Sequence, residues 1–266
     1  MITTKFKKAI KHPDEAVAFL WYQAFRVFGH ANYKQFIVLG RPRTGSNLLI
    51  SFLNSHPNIN AKNEIFFRLN GRDYREILNK TFSKQPPYIK AAGFKIFYNQ
   101  PYDDKNSGLW QELIEMQQLH VIHLRRRNIL RTLLSRKISR KTEKWEATNA
   151  GQLLDLQSRK VEFTRDELVD GFEKIRGLEE EFDDKFRLHP GLTVYYEELV
   201  RQPDAEFEKI TDFLGLPFYK PTTRYLKMNP EKLSTLIANY DDLKREFLGT
   251  EWASFFEEDE LVPAEL

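Results

Sequence analysis

The 266-residue chain contains no cysteine. That excludes a disulfide scaffold, a thiol nucleophile and any zinc site built on thiolate ligands. It fits a reducing compartment, and a cytoplasmic protein is expected. Long hydrophobic runs are missing too. The richest, Ala16-Val-Ala-Phe-Leu-Trp-Tyr-Gln-Ala-Phe25, is closed by Arg26 and falls well short of the roughly 20 residues a membrane span needs. Lysines precede it, but Asp14 and Glu15 interrupt the pattern of a secretion signal and no small-residue cleavage site follows. An amphipathic helix over residues 13–29, packed on the body, is expected there. Nor is one sign of charge in surplus: 41 basic and 38 acidic residues leave +3, too near balance for wholesale binding of nucleic acid. Low-complexity linkers and internal repeats are absent. What is plentiful is material for a core, with 41% hydrophobic and 14% aromatic residues. A chain of this length buries about three quarters of its unfolded surface, so a single domain over residues 1–266, ending in an acidic tail over 256–266, is expected.

Apolar runs rich in β-branched residues alternate with helical periodicity. Gln35-Phe-Ile-Val-Leu39 predicts a strand that stops at Gly40, and Leu48, Leu49, Phe52 and Leu53 then recur at helical spacing. Ala91-Ala-Gly-Phe-Lys-Ile-Phe97, His120-Val-Ile-His-Leu124 and Leu192-Thr-Val-Tyr-Tyr196 predict further strands. Thr164 and Glu167 form a capping box ahead of an apolar stripe through Leu168, Phe172, Ile175, Leu178 and Phe182. A helix should open at Pro203 and stop before Gly215, and a last one should carry Leu233 to Phe247. This alternation predicts an α/β fold, three layers around a mainly parallel sheet of about five strands.

The segment Gly40-Arg-Pro-Arg-Thr-Gly-Ser-Asn47 joins the first strand to its helix. Gly40 and Gly45 have the G-x4-G spacing of a phosphate loop, in which inward-turned N–H groups and a helix N-terminus receive an anion. A nucleoside-triphosphatase loop continues Gly-Lys-[Ser/Thr], with the lysine on the terminal phosphates. Here Ser46 and Asn47 stand in those places, and Val121-Ile-His-Leu124 ends without the acid that would hold magnesium. Positive charge comes instead from Arg41 and Arg43. A second basic element follows the fourth strand: between residues 125 and 144 there are nine Lys or Arg and one acid, Glu143. In a parallel sheet both elements open into one crevice, so Arg127 and Ser135 can hold a second anion. A phosphotransferase of the P-loop kind is the alternative that Ser46 disfavours. A nucleic-acid module is another, but it calls for aromatics among the basic residues, and none occurs before Trp145.

At these residues the chain resembles the sulfotransferases that use 3'-phosphoadenosine 5'-phosphosulfate (PAPS), in particular the bacterial and carbohydrate-type branch. Arg43-Thr44-Gly45-Ser46 is similar to the loop that holds the 5'-phosphosulfate, and Arg127 with Ser135 eight residues on to the 3'-phosphate pair. Ser55-His-Pro-Asn58, Gly93-Phe-Lys95, Tyr196-Glu197 and Asp212-Phe-Leu-Gly-Leu-Pro217 extend the likeness over residues 35–250 or so. The resemblance implies metal-free, in-line transfer of a sulfuryl group from PAPS to a hydroxyl or amine of a carbohydrate, lipid, or small alcohol or phenol, releasing 3',5'-adenosine bisphosphate. It implies a cofactor site of Arg41, Arg43, Thr44, Gly45, Ser46, Asn47, Arg127, Ser135 and Lys227, with Arg43 also stabilising the leaving group and Glu64, just after the second strand, as general base. His56 reads better as a helix cap and His123 as a hydrogen-bonded core histidine. Lys95 either approaches the sulfonate or snorkels. Phe66, Phe67, Tyr74, Tyr98, Tyr102 and Trp145 are the aromatics near the acceptor loops.

Overall fold

The computed structural model describes residues 28–144, 155–225 and 231–257. Lys227 and Trp145 lie outside the described residues, as do the expected N-terminal helix and acidic tail for nearly all their length. Five strands, β1 (Lys34–Gly40), β2 (Ile59–Lys62), β3 (Ala91–Phe97), β4 (His120–Arg125) and β5 (Gly191–Tyr195), form one parallel sheet in the order β2-β3-β1-β4-β5. The α/β class and the strands β1, β3, β4 and β5 are those the sequence pattern predicts, while β2 and the short helices have no range in it.

β1 is central and apolar on both faces, as a strand covered on both sides must be. Phe36 and Val38 enter one core with α1 (Ser46–Ser55) and α8 (Pro203–Phe213). Ile37 and Leu39 enter the opposite core with α2 (Tyr74–Thr81), α3 (Leu109–Glu115) and the C-terminal part of α6 (Arg165–Lys185). A third cluster joins α4 (Ile129–Thr142), the first half of α6, α9 (Leu233–Leu236), α10 (Tyr240–Glu246) and the 3-10 turn Ala253–Phe256. Remaining short helices are α5 (Leu156–Arg159) and α7 (Tyr196–Arg201).

The capping box of α6 is present in both halves, with the Thr164 side chain accepting from the Glu167 N–H and Glu167 accepting from the Thr164 N–H. The expected last helix is broken in two. Ile237 bridges to Val161, and the Asn239 side chain pairs with the Phe163 backbone in both directions, at 2.7 and 3.3 Å. Those bonds hold the backbone extended between α9 and α10. Among the described residues no helix is long and apolar enough to cross a membrane.

The strand order reverses at β1, whose neighbours are β3 on one side and β4 on the other. Ligands of open parallel sheets bind outside the carboxyl ends of the strands at such a switch point. A Cβ at Gly40 would stand 2.7 Å from the carbonyl oxygen of Leu124, so only glycine lets the end of β1 lie this close to β4.

Candidate active site

A crevice of about 960 Å³ opens above the carboxyl ends of β1, β3 and β4. Its floor is the turn between β1 and α1. Arg43 (φ 74°) and Gly45 (φ 85°) are both left-handed there, on either side of Thr44. This alternation curls the backbone so that successive N–H groups face inward. Arginine is rare in that region, and a non-glycine residue held there marks a functional turn. Gly45 is also the N-cap of α1 and has no side-chain oxygen to offer, so no cap occupies the first-turn N–H groups. A Cβ at Gly45 would fall 2.2 Å from the Tyr196 ring, so the ring closes the turn from behind. Arg41, Arg43, Gly45, Ser46 and Asn47 line the crevice. Thr44 does not: it is buried and donates its hydroxyl to Arg41 O at 2.8 Å, bracing the turn from within.

The two basic elements meet directly. Arg43 Nε donates to Ser135 Oγ at 2.9 Å, from the β1 turn to α4. The three arginines that end and follow β4 go three ways. Arg125 turns beneath the crevice to ion-pair with Asp183 and Glu179. Arg126 lines the crevice, 4.6 Å over the Tyr196 ring. Arg127, expected to face the same anion as Ser135, turns outward: its guanidinium lies 3.7 Å over Tyr195, its Nε donates to Glu198 at 2.9 Å, and its side chain is 56% exposed. Arg131, one helical turn before Ser135 and on the same face of α4, is buried, lines the crevice and donates to Glu231 O at 3.0 Å. The spacing i, i+4 to Ser135 is the signal that identifies it. Arg126 and Arg131, and not Arg127, line the crevice with Ser135.

Glu64 faces the turn across the crevice. Lys95, on β3, is buried and does not snorkel; its ammonium donates to Asn47 Oδ1 at 2.6 Å and lies 3.2 Å from Glu64 Oε1. Gln100 Nε2 donates to the other Glu64 oxygen at 2.7 Å, while Gln100 Oε1 accepts from the Phe97 N–H. The carboxylate is therefore fixed by two side chains yet remains one-quarter exposed, at 26%. The rival bases are accounted for structurally. His56 is buried at the end of α1, with Nε2 donating to Pro217 O and Nδ1 accepting from the Asn58 N–H. His123 is buried between Tyr98 and Asp183. Of the acceptor-side aromatics, Phe67 and Tyr102 line the crevice in edge-to-face contact, 5.0 Å between centroids, and Tyr98 reaches it with one edge; Phe66 and Tyr74 are core.

Two titrations beneath the crevice oppose each other. Burial holds His123 down to about 4 from its ordinary 6.5, and burial pushes Glu179 up to about 7 from 4.5. Between pH 4 and 6.5 the unfolded chain holds a histidine proton that the folded one lacks, so stability rises with pH. Between pH 4.5 and 7 the folded chain keeps a Glu179 proton that the unfolded one has lost, so stability falls with pH. Glu179→Gln removes the second slope alone. The urea midpoint of this variant, relative to wild type, should climb between pH 4.5 and 7; parallel pH profiles would show that Glu179 titrates normally.

A family model described as Sulfotransferase family matches residues 116–221. Nodulation protein H of Rhizobium tropici is 30% identical over 240 residues, covering 85% of this chain and 94% of that protein. Nodulation protein H of Rhizobium meliloti (strain 1021) is 27% identical over 241 residues, with 84% and 94% covered. Among solved structures, a sulfotransferase from Alicyclobacillus acidocaldarius shares the fold, with a TM-score of 0.51 over 85% of this chain and 93% of that one at 16% identity.

Proposed function

This chain belongs to the sulfotransferase family, and from that premise we propose that its donor is PAPS, bound in the crevice, and that Glu64 is the base for the acceptor. The observation that carries the reading is the Arg43–Ser135 contact, which joins two anion-binding elements in one crevice with Glu64 opposite. Two separated phosphate groups on one ligand need such a pair. The turn fits the phosphosulfate end: left-handed Arg43 and Gly45 curl the N–H groups inward, and α1 begins without a side-chain cap. Arg126, Arg131 and Ser135 fit the 3'-phosphate, guanidinium forks being matched to phosphate oxygens.

The donor supplies an already activated sulfuryl group. What remains for the protein is to hold charge, remove a proton and fix geometry. Arg43 and the N–H groups of residues 44–47 face the oxygen that gains charge as the S–O bond breaks, and donors aimed there stabilise the transition state more than the ground state. Glu64 takes the proton from the attacking hydroxyl or amine. Lys95, shared between Asn47 and Glu64, sets the distance between the two tasks. Phe67 and Tyr102 offer ring faces to a sugar or aromatic acceptor.

The test is thermal unfolding with 3',5'-adenosine bisphosphate, against 5'-AMP and magnesium-ATP at equal concentration. At about 100 times the Kd the bisphosphate stabilises by roughly 2.7 kcal/mol. At about 2–4 °C per kcal/mol that is a rise of roughly 5–10 °C, larger than with either alternative. An equal or larger rise with magnesium-ATP, or none with the bisphosphate, overturns the PAPS reading.

A further inference from the structure

Nine Lys and Arg side chains line the crevice against one acid, Glu64, among the described residues. PAPS carries roughly four negative charges, so a large positive excess remains once the donor is in place. The excess is not evenly spread. Arg43 is engaged by Ser135, Arg126 by Tyr196 and Glu197, Arg131 by the Glu231 carbonyl, and Lys95 by Asn47 and Glu64. The others, Arg41, Arg136 and Arg140 with Lys105 and Lys174, have no carboxylate at ion-pair distance among the described residues.

Arg41 is the sharpest case. It is 8% exposed, it lines the crevice, and its Nε has no hydrogen-bond partner among the described residues. A buried guanidinium N–H left unpaired is costly unless a ligand completes it. Arg41 also lies close enough to Arg136 for the two to repel, and burial with that repulsion pushes it down to about 10; Arg136 is likewise lowered, by burial and by Arg140. The acid on this side is Glu179, committed to Arg125 and pushed up to about 7 by burial. Arg41, Arg136 and Arg140 all line this crevice, with Arg136 repelled by each of the other two, and such a group is a site for an anion. It shares the crevice with Glu64, Phe67 and Tyr102, the residues proposed for the acceptor, and Tyr102 is within electrostatic reach of Glu64, Arg136 and Arg41 alike.

We infer that the acceptor is itself anionic, and that Arg41, expected from the sequence at the donor, instead joins Arg136 and Arg140 to hold a carboxylate or a phosphate ester of the acceptor while Glu64 faces the hydroxyl to be sulfated. The inference rests on the PAPS reading and deepens it. Such a grip would select acidic alcohols over neutral ones of the same shape, because a neutral occupant leaves the arginines desolvated and uncompensated.

The test measures binding, by calorimetry, to protein saturated with 3',5'-adenosine bisphosphate, so that the donor's phosphate sites are filled. p-Nitrophenyl β-D-glucuronide is compared with p-nitrophenyl β-D-glucoside for the carboxylate, and glucose 6-phosphate with glucose for the phosphate. In at least one pair the anionic member should bind tenfold or more tightly, with the advantage shrinking at high salt. The double variant Arg136→Gln, Arg140→Gln, whose sites are half-buried and exposed, should keep the thermal rise with bisphosphate and lose most of that preference. No preference for the anion in either pair, including no binding by any of the four at millimolar concentration, overturns the inference, as does a preference that survives in the double variant. Failure of the bisphosphate itself to stabilise the wild type would instead overturn the donor reading.

Discussion

Glu64→Gln should lower kcat for sulfuryl transfer by about 10²–10⁴-fold, the usual worth of a general base, while leaving the thermal rise with 3',5'-adenosine bisphosphate unchanged. The substitution keeps the side chain's shape and one of the two acceptor oxygens that Lys95 and Gln100 now engage. It removes the capacity to take a proton at that position, together with the negative charge that faces Lys95. The split is what identifies the role. A residue that merely supported the turn through Lys95 would weaken nucleotide binding when replaced, and the thermal rise would shrink along with the rate. A variant that retained more than about a tenth of wild-type kcat would remove Glu64 from the reaction. The candidates would then have to come from groups now engaged elsewhere, since His56 and His123 both spend their ring nitrogens inside the fold.

Arg43→Ala should cost about 10²–10³-fold in kcat, the loss seen when a single donor to a developing anion is deleted. Unlike the glutamate variant, it should also reduce bisphosphate binding. Arg43 is tied to Ser135, so its removal loosens the join between the turn and α4. Arg43→Lys separates the two contributions. A lysine keeps the charge but lacks the Nε–H that reaches Ser135, and it has no planar fork. Activity should recover only in part, and the nucleotide-binding defect should persist. Full recovery with lysine would mean that net charge alone matters at this position and that the contact to Ser135 is incidental.

Much of the fold was legible because its signals are local. The apolar runs of β1, β3 and β4, the capping box at Thr164 and Glu167 and the Pro203/Gly215 bracket each lie within a few residues of what they specify. The anion turn was legible for the same reason: glycine spacing between a strand and a helix is a feature of eight consecutive residues. Arg127 was not. Three arginines in succession end and follow β4, and which of them faces the crevice is decided by Tyr195, Tyr196, Glu197 and Glu198, residues on β5 and α7 that lie some 70 positions away in the chain. The break between α9 and α10 was hidden similarly, by bonds from Val161 and Phe163 that no helical period reveals. Lys95 was ambiguous in sequence because a buried lysine and a snorkelling one look alike until the partners, Asn47 and Glu64, are seen to converge on it.

That convergence has a thermodynamic consequence. One ammonium touches both Asn47, in the proposed donor cradle, and Glu64, on the proposed acceptor side, so the two halves of the crevice share a member. Whatever factor occupation of the turn imposes on affinity beside Glu64, occupation beside Glu64 must impose on the turn, since coupling between two sites is reciprocal. Lys95 is the side chain through which that mutual factor would pass, and replacing it should change both affinities together.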